Sequence, residues 1–201
     1  MSSLSVNEML QFASGLAASL EACHIQYYVS KPVVCCLYGD ATRQDKLVVV
    51  AAIDPSHVPD LTTVLSQAFY VYPDDIVQTS LGGGGFALRH PQNQQIAEVW
   101  QHQLDAFSAT KMERRMLYQS ALPSHPRTLP ATDPFWICTL EDAILDRLLF
   151  EPSSRSSLQW QGLLAILRAQ SPYLDYAYLG EWAGRLGVSR TLGQALLEAE
   201  I

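Results

Sequence analysis

The stretch Asp45-Lys46-Leu47-Val48-Val49-Val50-Ala51-Ala52-Ile53 decides the fold. Two polar residues are followed by seven apolar ones, and four of those seven are β-branched. An unbroken apolar run of this kind is typical of a strand that is covered on both faces. We therefore expect this segment to be the central strand of a sheet packed between helices.

The segments around this strand predict the elements that cover it. Residues 6–23 and 55–69 carry apolar side chains at helical spacing, so each should form an amphipathic helix. Between them, residues 25–30 are β-branched and aromatic enough for a strand. Pro32 then opens a short apolar segment that ends at Gly39, as expected for a short helix. The order of elements indicates an α/β protein.

Shorter strands are predicted downstream, over residues 69–71, 86–89 and 95–100, where glycines and prolines interrupt the pattern. Antiparallel pairing is expected among them. The four-glycine run Gly82–Gly85 lacks the Gly-Lys-Ser/Thr ending of a phosphate-binding loop. It favours a flexible hairpin turn.

The carboxyl-terminal half is predicted to be helical. Four prolines between residues 123 and 134 indicate a connector, which divides the chain into an α/β core (1–122) and a helical unit (135–201) packed on it. Thr139 and Asp142 have the spacing of a capping box at the start of the first helix. Further helices are expected over residues 158–169, 174–186 and 192–199.

Composition excludes several classes of function. The hydrophobic fraction of 48% and the charged fraction of 16% are typical of a globular protein. A net charge of -7 argues against nucleic-acid binding through phosphates, since that mode needs clustered cations. The nearest cluster, Lys111, Arg114 and Arg115, is expected to be a solvated helix face. No Gly-x-Ser-x-Gly motif of a serine hydrolase occurs.

Cysteine and histidine spacings predict no metal or redox motif. The four cysteines, Cys23, Cys35, Cys36 and Cys138, form no zinc-type pair, so we expect free, buried thiols in a reducing compartment. The first 21 residues lack the basic start and apolar core of a signal peptide, and no later stretch is long enough to span a membrane. We therefore expect no membrane association and a cytoplasmic location.

The order of the elements through Tyr38-Gly39 and the central strand resembles the core of the nucleotidyltransferase superfamily. The segment Trp136–Leu148 is similar to that family's Ser-Pro-Glu-Asp-Leu-Ile-x-x-Lys-Leu stretch, with Arg147 in place of the lysine. Residues 158–167 and 174–183 resemble helices of bacterial stand-alone and toxin-type members. The resemblance implies a nucleotidyltransferase-like mixed sheet flanked by helices, with a carboxyl-terminal helical bundle.

The resemblance also implies where a site would lie. In the family, a small pair ends the first strand, Asp-x-Asp opens the next, and a later strand supplies a third carboxylate. These carboxylates hold the magnesium ions that align a nucleoside triphosphate. The candidate cleft residues at and near these positions are Ser30, Lys31, Arg43, Asp45, Lys46 and Glu98, with Asp45 and Glu98 as the candidate metal ligands.

The second carboxylate of the pair is missing, because Leu47 or Val48 stands where it should be. We therefore expect a catalytically degenerate nucleotidyltransferase-like protein, without efficient transfer, that keeps a cleft for a ligand, such as a nucleotide, or for a protein partner. The sequence predicts no resident cofactor for such a protein, and whether the protein is an enzyme stays open.

Two alternatives remain at this point. The first is an active transferase that uses magnesium to move a nucleotide from a triphosphate to an unknown acceptor. Its ligands would be Asp45, Glu98 and either Asp40 or Asp54, with Lys31 or Arg43 on the phosphates. The second is a protein-interaction module anchored by exposed aromatic residues, although helical or strand spacing favours the core for all three candidates: Trp100, Trp160 and Tyr178.

Overall fold

The predicted central strand lies inside a six-stranded mixed sheet in the computed structural model, which describes residues 5–39, 46–82, 84–118, 132–150 and 157–201. The sheet has the order β3-β4-β2-β1-β6-β5, and β2 is parallel to β4 but antiparallel to β1. The strands are β1 (Tyr27–Val29), β2 (Lys46–Ala51), β3 (Gly85–Arg89), β4 (Ile96–Gln101), β5 (Met116–Tyr118) and β6 (Phe135–Ile137).

Nine α-helices flank this sheet within the described residues, so the predicted α/β class and the mixed sheet are confirmed. Two short 3-10 turns, Pro55–His57 and Ser171–Tyr173, precede the third and the eighth of these helices. The helices are α1 (Val6–Ala22), α2 (Lys31–Leu37), α3 (Val58–Ala68), α4 (Pro73–Ser80), α5 (Ala106–Arg114), α6 (Leu140–Phe150), α7 (Leu158–Gln170), α8 (Tyr176–Arg185) and α9 (Ser189–Glu198).

Side chains alternate between the two faces of β2, as they must in a strand. Leu47, Val49 and Ala51 are buried on one face, which we call the closed face. Tyr27 of β1 points to the same face, because it lies opposite Ala51, and its hydroxyl donates to Glu21 of α1. Helix α1 therefore covers the closed face. Helix α3 contacts α1, and α4 contacts α3, so these two helices cover the same face.

The other face of the sheet is buried where it includes β1. Tyr28 lies opposite Val50 on this face and is fully buried. Burial raises the pKa of the Tyr28 hydroxyl, and the nearby carboxylates Asp146 and Asp142 of α6 raise it further. Helix α6 therefore sits over this half of the face. Over β2, β4 and β3 the same face carries partly exposed side chains, and we call it the open face.

A buried ion pair holds α5 against α6. The Lys111 ammonium lies 2.8 Å from Asp146 Oδ1, and both side chains are buried. Its ammonium also lies 4.6 Å from the centre of the Phe107 ring. Because two charges removed from water must satisfy each other, the pair fixes how α5 and α6 meet.

A second polar cluster joins α5, α6 and α8. The Arg114 guanidinium stacks 3.8 Å over the Tyr178 ring, and the Tyr178 hydroxyl donates to Asp142 at 2.5 Å. Thr139 also donates to Asp142, at 2.8 Å. Burial raises the pKa of Asp142 despite these hydroxyl donors. The Asp142 carboxylate is thus a structural acceptor that ties three segments together.

The expectation of a solvated cationic face on α5 is wrong. Lys111 and Arg114 point inward to the contacts just described, and the Arg115 guanidinium lies 4.8 Å from the Trp136 ring. The spacing of the three cations is that of a surface helix. The three cations turn inward because carboxylates and aromatic rings on α6, α8 and β6 lie within their reach. The spacing of residues along α5 does not reveal these partners.

Several local predictions need correction. The expected hairpin turn at Gly82–Gly85 is wrong, because the described glycines of that run, Gly82, Gly84 and Gly85, come after helix α4 and lead into β3. Phe69–Val71 contributes a single bridge, between Tyr70 and Arg89, and not a strand. Helix α4 was not predicted, because its eight residues are mostly polar or exposed. Strands β5 and β6 were not predicted either, since a strand of three residues is too short to show a pattern of alternating side chains.

Other expectations are confirmed. The strands β3 and β4 pair antiparallel, and the four cysteines are free and buried. Thr139 and Asp142 do bond at the start of α6. Among the residues described, no helix is long and apolar enough to cross a membrane. The division at residues 122 and 135 stays a prediction, although β6, just beyond the connector, pairs with β1 of the core sheet.

Breaking the Lys111–Asp146 pair should destabilise the protein strongly. Lys111→Met leaves a buried carboxylate without its counter-ion, which costs about 3 to 5 kcal/mol in comparable sites. Lys111→Met combined with Asp146→Leu should cost much less than the sum of the single changes. Urea unfolding of the four proteins measures this coupling.

The exposed pair of Arg185 and Glu181, 2.7 Å apart, provides the control. Glu181→Gln should change the free energy of unfolding by at most about 1 kcal/mol, because solvent screens the pair. Equal losses from Lys111→Met and Glu181→Gln would contradict the structural role of the buried pair.

Gly85 should be intolerant of a side chain, because β3 passes very close to β4 there. A Cβ built at Gly85 would lie 2.5 Å from the Val99 carbonyl oxygen and 3.0 Å from Trp100 Cα. Gly85→Ala should therefore cost about 1 to 3 kcal/mol through backbone shifts. In the matched change Gly193→Ala, within α9, nothing lies within 4 Å of the new Cβ. The free energy of unfolding of that variant should rise by about 0.5 to 1 kcal/mol. Thermal unfolding measures both variants. Similar effects at the two positions would contradict the close approach of β3 to β4 at Gly85.

Candidate functional site

The open face brings together residues from three strands. In the register of β2 with β4, Lys46 lies opposite Ile96, Val48 opposite Glu98, and Val50 opposite Trp100. All six side chains share one face because the side-chain period of a strand is two. Ala87 of β3, paired with Glu98, extends the surface toward the sheet edge.

Glu98 is the centre of the polar contacts on this face. Its Oε1 accepts from the Lys46 ammonium at 2.7 Å, and its Oε2 accepts from the Trp100 indole Nε1 at 3.2 Å. The Lys46 and Glu98 side chains are 46% and 27% exposed. Both carboxylate oxygens thus have a donor from this chain, in a site that still faces solvent.

The strand register decides which residue stands at the missing carboxylate. Leu47 points to the closed face and is fully buried, whereas Val48 lies beside Glu98 on the open face. The pair of open-face positions at the start of β2 is therefore Lys46 and Val48. Where two carboxylates would give two negative charges beside Glu98, this chain has a cation and an isopropyl group.

The two residues at the end of β1 behave differently from each other. Ser30 is buried, and its backbone N–H donates to the Val48 carbonyl at 2.8 Å, so it adjoins the site. Lys31 opens α2, and its ammonium lies 5.9 Å from the Phe150 ring at the end of α6. The structure therefore places Ser30 beside Val48 but directs Lys31 toward α6.

The remaining candidate residues are not brought to Glu98 by the described chain. Arg43, Asp45 and Asp40 lie outside the described residues. Asp54 follows the far end of β2, whose six residues alone span about 17 Å. There its carboxylate accepts from Ser56 N–H at 2.9 Å and caps the turn that precedes α3. Hydrogen bonds from the backbone and the side chain of Ser56 lower the pKa of the Asp54 carboxyl.

The open-face residues do not fit a magnesium ion. Within the part of the chain that the structure describes, no three acidic, histidine or cysteine side chains come close enough to hold a metal. Magnesium needs near-octahedral oxygen ligands. The Lys46 ammonium already occupies Glu98 Oε1 and would repel a second cation. The open face instead presents the Lys46 ammonium, the Trp100 indole ring and a surface of small or apolar side chains.

Trp100 is the aromatic candidate whose predicted burial is wrong. Its side chain is 46% exposed on the open face, so the expectation that it is a core residue is wrong. Trp160 is buried, as expected, and its indole donates to Glu198 at the end of α9, at 2.7 Å. Tyr178 is partly buried over Arg114. The signal for Trp100 was available, since it stands two residues after Glu98 and must share its face.

Comparison with known proteins agrees with this architecture. No family model matches the sequence, and no curated protein matches it. The crystal structure of an antigenic nucleotidyltransferase-like protein from Paracoccidioides brasiliensis overlays with a TM-score of 0.50 at 15% identity, covering 97% of this chain and 94% of that one. At this identity the likeness concerns the fold alone.

A second solved structure is the lincomycin-bound lincosamide antibiotic adenylyltransferase LnuA. It overlays with a TM-score of 0.46 at 9% identity, covering 82% of this chain and 99% of that one. That overlay is too distant to add weight to the first. The overlay on the Paracoccidioides brasiliensis protein and the mixed sheet agree with the resemblance seen in the sequence, and the chain has a nucleotidyltransferase-like fold.

Proposed function

We propose that this protein is a catalytically degenerate relative of the nucleotidyltransferases, which uses its open face to bind a ligand without magnesium and without efficient transfer. The observation that carries the proposal is the 2.7 Å ion pair between Lys46 and Glu98. An ammonium group then stands beside the carboxylate that would otherwise help to bind a divalent ion.

The charge balance of the site supports the loss of transfer. Metal ions accelerate phosphoryl chemistry by neutralising charge that develops on the phosphate oxygens and by fixing the geometry of attack. One ammonium supplies one positive charge and no coordination geometry. Lys46 can therefore attract an anion, but it cannot align a triphosphate for in-line displacement as two magnesium ions would.

The ligand that fits this face combines a negative charge with a planar ring. Lys46 supplies the cation, and the half-exposed Trp100 indole supplies a surface for stacking. Glu98 holds both side chains in place through its two hydrogen bonds. A nucleotide has this chemistry, and the nucleotidyltransferase-like fold makes nucleotides the first ligands to test.

The rival, an active magnesium-dependent transferase, requires carboxylates that converge on one point. Glu98 is the described candidate that faces the cleft, and its oxygens already accept from Lys46 and Trp100. Activity in the wild-type protein would need Asp45 to reach Glu98 and a metal to displace Lys46. We therefore rank the degenerate protein first.

Restoring the missing carboxylates should restore metal binding. The variant Lys46→Asp, Val48→Asp places two carboxylates on the open face beside Glu98, where the wild type has none. We expect Mn²⁺ to raise the melting temperature of this variant, with about 2.7 kcal/mol of stabilisation at a hundredfold excess over Kd. Wild-type protein should show no such rise at the same Mn²⁺ concentrations.

The control is Lys46→Ala, Val48→Ala, which removes the cation but adds no ligand and should not respond to Mn²⁺. Adding Glu98→Gln to the double-aspartate variant should abolish the response. Wild-type label transfer from a triphosphate that requires magnesium and disappears in Glu98→Gln would refute the proposal.

Ligand binding should be independent of metal. We expect nucleoside triphosphates to stabilise wild-type protein equally in magnesium and in EDTA, as measured by thermal shift. Trp100→Ala should remove most of that shift, because stacking contributes about 1 to 3 kcal/mol per base. Val77→Ala, at a partly exposed residue on α4, serves as the control. A shift seen only with magnesium would favour the active enzyme.

A further inference from the structure

The outer edge of the sheet is formed by β3, and its hydrogen-bonding pattern is well defined. Gln101 N–H donates to the Gly84 carbonyl at 2.9 Å, and His90 N–H donates to the Gln95 carbonyl at 2.8 Å. In an antiparallel pair such bonded positions alternate with positions whose backbone groups point away. Gly85, Ala87 and Arg89 therefore direct their N–H and C=O groups outward from β4.

One of these outward positions already has a strand partner. Arg89 N–H donates to the Tyr70 carbonyl at 3.0 Å, and Tyr70 N–H donates to the Arg89 carbonyl at 2.9 Å. These two bonds are an antiparallel bridge of a single residue. The β3 edge is thus geometrically able to accept an extended chain, since it binds one residue of its own chain in this way.

The chain then leaves the edge for an identifiable reason. Continued in the same register, Tyr72 would lie opposite Ala87. Pro73 instead begins α4, and the Tyr72 carbonyl accepts from Asp75 N–H at 3.1 Å. Tyr72 keeps an extended backbone but turns away, so no backbone group among the described residues pairs with Ala87 on its outer side.

A groove opens where the chain diverges from β3. Its volume is about 760 Å³, within the range of binding sites in proteins. One wall is formed by Ala87, Leu88 and Arg89 with Ile96, and the other by residues between Ser66 and Asp75. Tyr70 and Tyr72 are 64% and 75% exposed there, which is high for aromatic residues beside a cleft.

We propose that this groove binds an extended segment of a partner protein, which pairs with Ala87 as an added strand and carries an aromatic or aliphatic residue next to a basic one. Backbone hydrogen bonds to Ala87 would supply affinity, and the tyrosine wall would take the apolar side chain. The basic residue follows from charge, because the exposed Asp75 lines the groove and the exposed Asp74 precedes it in the first turn of α4.

A second copy of this chain fits the edge less well. A twofold axis through Ala87 would set Gly85 of one copy opposite Arg89 of the other, where Tyr70 already occupies the outward groups. The net charge of -7 on each copy also opposes self-association. The proposal does not depend on the metal chemistry of the open face, so the two can fail separately.

The test uses random linear peptides displayed on phage and selected on the full-length chain. We expect selected peptides to be rich in β-branched and aromatic residues with Lys or Arg nearby. Ala87→Pro should weaken their binding at least about tenfold, because it removes the outward N–H donor. Ala87→Val keeps that donor and should bind about as well as the wild type. Tyr72→Ala should also weaken binding.

Proline is tolerated at an edge position whose N–H faces away from the ladder, so Ala87→Pro should stay folded. If it does not fold, amide hydrogen exchange on wild-type protein provides the second measurement. A bound peptide should slow exchange at Ala87. Three results would overturn the proposal: selection of no peptides, equal binding to wild type and Ala87→Pro, or a dimer that Ala87→Pro dissociates.

Discussion

The two-residue alternation of side chains along β2 is the constraint on which the rest of the structure depends. It sends Leu47, Val49 and Ala51 into the layer covered by α1 and leaves Lys46 and Val48 on the open face. A shift of one residue would bury the lysine and expose the leucine. The same alternation therefore fixes the hydrophobic core and determines which residues can act in the cleft.

Charged contacts, as well as apolar packing, hold the helices that cover the β1 side of the sheet. The buried pair of Lys111 and Asp146, with Asp142 and Tyr178 nearby, holds α5, α6 and α8 over the β1 side of the sheet. On β4, Glu98 and Trp100 remain partly exposed. The polar cluster of α5, α6 and α8 is thus structural, although its composition resembles that of a site, whereas the open face keeps polar side chains that solvent reaches.

Sequence reasoning predicted the elements whose patterns are long and missed those that are short or depend on distant contacts. The nine-residue stretch from Asp45 could be predicted from its unbroken apolar run, and the helix of residues 6–23 from apolar residues that recur at helical spacing. Strand β6 could not, because its pairing with β1 joins residues more than one hundred positions apart. In the site, Glu98 and Lys46 were identified as candidates, but their ion pair follows only from the β2–β4 register. The inward direction of Arg114 likewise depends on Tyr178, which no local pattern links to it.

In the function that we propose, the ammonium of Lys46 takes the place of a metal ion beside Glu98. The most direct measurement is a crystal of the wild-type protein soaked with Mn²⁺ and a non-hydrolysable triphosphate, with anomalous diffraction recorded to locate manganese. We predict no manganese peak within bonding distance of Glu98 and an intact hydrogen bond from Lys46. A peak coordinated by the Glu98 carboxylate, with Lys46 displaced, would contradict this account.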